Sequence, residues 1–243
     1  MHLLLSPNPP SKKYDFFPSL VREWLRPLHI WPDGTQAVGA PWEIDYLNFA
    51  DTDFQQARVP IYWKLGNLPG YHSLIGLNPE YGYGIIILVT GTYSDTHELG
   101  LRALDILQPA FMKVLQGQVR EAYVGEWEAT GGNMTGTAHV SLLYGQLFMT
   151  KLIVDDVDVL RAVQEAHIES IPFTRPVPLW TAGRIDEFRL VFGRNMPGCL
   201  PYWVSIDSGF TSRGASIDLV YWENGELVYP SAGVRFKRTD GRY

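Results

Sequence analysis

The sequence predicts an α+β chain: an antiparallel sheet with one packed helix, followed by an all-β barrel-like domain. Three observations predict it. Between Pro60 and Thr90, three apolar runs are separated by the turn signals Pro69-Gly70 and Asn78-Pro79-Glu80-Tyr81-Gly82, as expected of consecutive strands. From Ser94 to about Gln118, apolar residues recur at helical spacing. Beyond Glu121 the texture changes to short strand-like segments separated by glycine-containing turns, the pattern of antiparallel barrels and sandwiches.

Taken in order, residues 1–15 are rich in Pro, Ser and Lys and form a flexible lead-in. Leu20, Val21, Trp24, Leu25 and Leu28 predict a short amphipathic helix over Pro18–Leu28, ended by Pro27 and the Pro32-Asp33-Gly34 group. Ala40 to Ile44 follows, and Phe49 to Ala57 reads as a polar loop. Strands are expected at Pro60–Leu65, Tyr71–Leu77 and Gly84–Thr90; the last two are nearly continuous apolar runs, which implies cover on both faces. Ser94 or Asp95 then caps a helix with Glu98 in its first turn. Its apolar stripe is Leu99, Ala103, Ile106, Leu107, Ala110, Phe111, Val114 and Leu115. Pro109 is expected to kink that helix or split it in two.

After residue 121, strands are expected at Tyr123–Ala129, Gly136–Leu142, Gln146–Val154, Thr174–Trp180, Ile185–Phe192, Tyr202–Ile206, Ser216–Trp222, Glu226–Val228 and Gly233–Lys237. Turns fall at Thr130-Gly131-Gly132, Tyr144-Gly145, Asn195–Gly198 and Asn224-Gly225, the last being the strongest hairpin signal. A helix over Val157–His167 interrupts the strands, with Asp155, Asp156 and Asp158 placed to cap it. The expected organisation is thus a lead-in over 1–15, one domain over 16–120 and an antiparallel barrel or sandwich over 121–243.

Bulk properties narrow the function. A hydrophobic content of 46% and a charged content of 19% are those of a globular chain. A net charge of −6 argues against a nucleic-acid-binding surface. Cys199 is the single cysteine, so neither a disulfide framework nor a cysteine metal site is available. The leading Met-His-Leu-Leu-Leu is too short for a signal peptide, which points to the cytoplasm by default. No run approaches the roughly 18 apolar residues of a membrane span. The six histidines show no metal-site spacing, and no cofactor motif is present. Asn133-Met134-Thr135 is a chance glycosylation sequon. Trp127, Trp180, Trp203 and Trp222 read as core residues, with a ligand-lining role as the alternative.

The order of elements carries more information. An apolar strand ends in Lys64-x-Gly66, followed by Pro69-Gly70-Tyr71, a second strand, a third strand, a long helix and Tyr123-Val124-Gly125-Glu126-Trp127; Pro41-Trp42-Glu43-Ile44 precedes them. Over residues 16–130 this resembles the C-terminal part of fungal class C β-lactamase-like and penicillin-binding-protein-like serine hydrolases. The resemblance implies a partial β-lactamase-like domain over 16–120, in which the Lys-x-Gly strand lines an acyl-transfer cleft. Carried over to this chain, Lys64 supplies positive charge, Gly66 allows close backbone approach, and Asn67 offers an oxyanion N–H. Tyr71 and His72 lie close enough to be substrate-binding residues. Leu65 departs from the family pattern, since it replaces a hydroxyl that would bind a substrate carboxylate.

The nucleophile box is the larger departure. No Ser is followed by Lys three positions on, and Ser11-Lys12-Lys13-Tyr14 misses by one. Tyr46-Leu47-Asn48 imitates the family's Tyr-x-Asn box but sits only 18 positions before Lys64. The expectation is a truncated or non-catalytic member of the family, with an apolar sheet face that calls for a homodimer or a separate partner supplying the N-terminal half. Intact relatives are often secreted. The alternative is a repurposed accessory or secondary-metabolism protein, such as a cyclase or isomerase. It would bind a small molecule in the cleft or in the C-terminal β domain, with Lys64, Tyr71 and His72 as acid/base groups.

Overall fold

The computed structural model describes residues 18–48, 58–130, 134–167, 175–181, 184–192 and 213–239. The lead-in, the loop at 49–57, the turns at 131–132 and 195–198, the strand at 202–206, Asn133, Cys199 and Trp203 lie outside them. The chain divides into two compact units, Met1–Leu115 and Gln116–Tyr243.

In the first unit a six-stranded antiparallel sheet runs β1 (His29–Ile30), β2 (Gln36–Val38), β3 (Glu43–Asn48), β4 (Arg58–Leu68), β5 (Tyr71–Asn78) and β6 (Tyr83–Thr90), each strand paired with its chain neighbour. The last three are the strands the sequence predicts. The first three were not expected as strands. β3 carries Glu43 and Asp45 alternating with Ile44 and Tyr46, and its apolar alternation is masked by an aspartate that turns out to be buried. Tyr46, considered above as part of a catalytic box, is a β3 residue packed against the Trp42–Ile44–Tyr62 cluster.

Helix α1 spans Pro18–Trp24 and is shorter than expected, leaving Leu28 exposed. Trp24 and Leu25 meet one sheet face, with the Trp24 and Trp42 rings 4.9 Å apart. The other face packs Val59, Ile61, Trp63 and Leu74 against Leu101 and Leu104 of helix α2, Thr96–Tyr123. Asp95 caps α2, its Oδ1 accepting the Glu98 N–H at 3.0 Å.

Pro109 does not split this helix in two, and its buried seam is Thr96, Gly100, Leu104, Gln108 and Met112 rather than the apolar stripe read from the sequence. Ile106, Leu107, Phe111 and Val114 are exposed. The seam is chosen by fit. Gly100 lets the helix approach Trp63, where a Cβ would come within 3.1 Å of the ring, and buried Gln108 accepts from Asn78 Nδ2 at 2.9 Å and from the Tyr83 hydroxyl. Nor is β6 covered on both faces. Ile86 and Leu88 are 60% and 76% exposed, because α2 covers only the opposite face.

In the second unit the strands close into an antiparallel barrel. Strands β7 (Gly125–Ala129), β8 (Gly136–Leu143), β9 (Gln146–Val154), β11 (Val177–Thr181), β12 (Glu187–Leu190), β13 (Leu219–Glu223), β14 (Glu226–Tyr229) and β15 (Val234–Arg238) form the ring, and β8–β9 pairing closes it. The short β10 (Val157–Asp158) turns back to pair antiparallel with the end of β9, and helix α3, Val159–His167, adds Leu160 and Val163 to the interior. Closure removes exposed edges. Asn224-Gly225 makes the expected hairpin, with φ of 53° and 76°. Asp155 and Asp156 form a turn of the same kind rather than a helix cap (φ 45° and 62°), and Asp158 alone accepts the Arg161 N–H. Trp127 and Trp222 are buried in the core, while Trp180 is exposed. Among the described residues no helix is long and apolar enough to cross a membrane.

Candidate active site

Lys64 and Gly66 lie in the outer half of β4. The two-residue Pro69-Gly70 turn places Asn67 opposite His72, Gly66 opposite Ser73 and Lys64 opposite Ile75. β3 pairs with β4 only as far as Trp63, opposite Glu43. From Lys64 to Leu68, β4 therefore has one edge that no strand among the described residues covers. N–H and C=O groups alternate between edges, and a tight hairpin closes with Leu68 and Tyr71 as its hydrogen-bonded pair. Leu65 and Asn67 consequently face the open side.

The Lys64 ammonium is engaged at this edge. It donates to Glu43 Oε1 at 3.1 Å and to the Leu65 carbonyl at 3.0 Å, with its side chain 43% exposed. A Cβ at Gly66 would fall 2.7 Å from Ser73 Oγ, which donates to the Gly66 carbonyl at 3.2 Å, so a side chain there would turn the Ser73 hydroxyl away. Asn67 Oδ1 lies 2.9 Å from His72 Nδ1, so these two predicted residues meet each other. Tyr71 is exposed at the turn, and strand alternation directs it to the face opposite His72.

A constellation absent from the sequence reading lies beside this edge. Asp45 is 7% exposed and collects three donors: Gln36 Nε2 at 2.9 Å on Oδ1, with Trp63 Nε1 at 3.0 Å and His97 Nε2 at 2.8 Å on Oδ2. Burial pushes the Asp45 carboxyl up, but the His97, Gln36 and Trp63 bonds and the His97 charge outweigh it, leaving the acid below its ordinary range. The bond to Asp45 raises His97 above its ordinary value; burial opposes this, and the Asp45, Asp95 and Glu43 charges add to it. With Nε2–H committed to Asp45, the neutral ring presents Nδ1 as an acceptor.

These groups border a cavity of about 330 Å³. Register places Gln36, Val38, Glu43, Asp45, Trp63 and Leu65 on one face of β2–β4, where they form its floor. His97 comes from the first turn of α2. Trp31 comes from the β1–β2 hairpin, where its carbonyl accepts the Gly34 N–H at 2.8 Å and Asp33 Oδ1 accepts the Thr35 N–H at 3.0 Å. Spacing rules could not find Asp45 and His97, which are 52 positions apart. The available signals were an acid inside an alternating strand and a histidine two residues past a helix cap. Among the described residues no group of three His, Cys, Asp or Glu side chains has metal-site geometry.

No family model matches the chain. Three fungal proteins do. The β-lactamase-like protein str6 of Strobilurus tenacellus is 35% identical over 222 residues, which cover 88% of this chain and 70% of that protein. A β-lactamase-like protein of Arthroderma benhamiae is 28% identical over 45% of this chain and 18% of its own length. A probable hydrolase M10 of a Phoma species is 23% identical over 60% and 25%. Among solved structures, the octameric penicillin-binding protein homologue from Pyrococcus abyssi aligns with 90% of this chain and 41% of its own, at 13% identity and a TM-score of 0.27. A likeness at that score carries no argument.

Proposed function

The chain belongs to the β-lactamase-like protein family, and from that premise we propose that its six-stranded unit is the Lys-x-Gly wall of a serine acyl-transfer cleft. This sequence lacks the Ser-x-x-Lys box, so on this reading the chain forms no acyl-enzyme by itself. The observation that carries the reading is the open edge of β4 beside Lys64. There a ligand carbonyl has access to the Asn67 N–H, the position the family uses for an oxyanion. Two features support loss of the original recognition. Glu43 already neutralises Lys64, and Leu65 stands where a substrate-binding hydroxyl would be. The exposed Ile86 and Leu88 support a partner that covers β6.

Incubation with a fluorescent penicillin and with an activated ester, followed by intact-mass analysis, tests this. The expected result is no stoichiometric adduct. A single adduct mapped to one serine overturns it.

A second reading, a repurposed cleft that binds a small molecule, is favoured by the cavity next to Leu65. The barrel gives that reading no such support, since Trp127 and Trp222 are consumed in its core.

A further inference from the structure

We propose that the cavity between Trp31, Leu65 and His97 is a binding site for a small uncharged, largely apolar molecule bearing one carbonyl or hydroxyl group, which His97 recognises. The volume, about 330 Å³, lies at the lower end of the range for small-molecule sites. The walls contributed by Trp31, Val38 and Leu65 are apolar. The polar groups at its border are matched among themselves. Glu43 holds Lys64 at 3.1 Å, and Asp45 holds His97, Gln36 and Trp63. A carboxylate ligand at His97 would face the charges of Asp45, Asp95 and Glu43, and an amine would have to displace His97 or Lys64 from its acid. An uncharged ligand disturbs neither pair.

One ring nitrogen of His97 is fixed by Asp45, which orients the imidazole and leaves the other for the ligand. Neutral His97 accepts from a hydroxyl, and protonated His97 donates to a carbonyl. The charges facing it are Asp45 and Glu43 from β3 and Asp95 from the α2 cap, with Lys64 of β4 on Glu43. Trp63 lies edge-on to the ring at 5.6 Å. This site stands on its own geometry and does not require the acyl-transfer ancestry of β4.

The test titrates acetophenone, benzyl alcohol, benzoate and benzylamine into the isotopically labelled full chain, following the His97 ring and Trp31 indole resonances. At a pH below the raised His97 value, where the free ring nitrogen donates to either oxygen, acetophenone and benzyl alcohol should shift both signals saturably and bind more tightly than either charged analogue. His97→Gln should weaken binding about tenfold through one lost hydrogen bond. Leu65→Phe should abolish binding by filling the space, and it keeps the test decisive if His97→Gln does not fold. Tighter binding of benzoate or benzylamine overturns the proposal, as does the absence of shifts with the uncharged probes or undiminished binding by either folded variant. Serine acylation in the separate penicillin experiment would overturn only the acyl-transfer reading.

Discussion

Replacing Gly76 with alanine tests how tightly the floor of the cavity is held. Gly76 lies opposite Trp63 in the β4–β5 ladder. A Cβ there would stand 2.3 Å and 2.6 Å from Trp63 ring carbons and 2.9 Å from Ile85 Cγ2. The ring must retreat by about 1 Å to reach ordinary contact, an overpacking change of the kind that costs about 1–3 kcal/mol. Retreat is obstructed. The ring is 1% exposed, its Cζ3 edge already lies against Gly100, and its indole N–H is tied to Asp45. If that bond breaks, a buried donor and acceptor lose each other, which adds about 1 kcal/mol. We therefore expect Gly76→Ala to destabilise the first unit by about 3 kcal/mol. Native-state hydrogen exchange of the β4 and β5 amides reads this separately from the barrel. A change below about 0.5 kcal/mol, the range of neutral surface substitutions, would refute the claim that Trp63 is pinned.

Other perturbations give outcomes of different sign. Gly117→Ala, in α2 with nothing within 4 Å of the added methyl, should stabilise by up to about 1 kcal/mol in denaturant unfolding. Arg189→Ala should destabilise the barrel by about 3–5 kcal/mol in thermal or urea unfolding, because it strips Asp218, 1% exposed, of its guanidinium partner at 2.7 Å. The Asp45–His97 pair sets a pH window. His97 is raised above 6.5, so its contribution is complete below 6.5 and fades as pH climbs through the higher folded value. Asp45 is lowered below 3.8, so its contribution is complete above 3.8 and fades as pH falls through the lower folded value. The pair should stabilise most between those limits, and an NMR titration of Asp45→Asn should return His97 toward its ordinary value.

Legibility in the sequence followed locality. β4, β5 and β6, the α2 cap at Asp95 and the Asn224-Gly225 hairpin were readable because turns and caps are decided by residues within a few positions of one another. β1, β2 and β3 were not, since their strand character rests on pairing across the sheet rather than on apolar runs. The α2 seam was misread for a related reason: hydropathy ranks Ile106 above Gly100 and Gln108, whereas packing on Trp63 and bonding to Asn78 and Tyr83 reward the reverse. Family membership was legible from the order of Lys64-x-Gly66, the turn, the helix and the Tyr123–Trp127 motif.

By itself, the sequence determined which strands, turns and caps form in the Lys-x-Gly segment and that no Ser-x-x-Lys box accompanies them. Only the tertiary structure decided that β3–β4 pairing ends at Glu43, so that no strand among the described residues covers the β4 edge beyond it, that Lys64 is paired from β3, and that His97 and Asp45 meet across 52 residues beside a cavity. The reason is physical: caps and turns draw their free energy from neighbours in the chain, whereas a buried carboxylate is tolerable only once distant segments supply its donors.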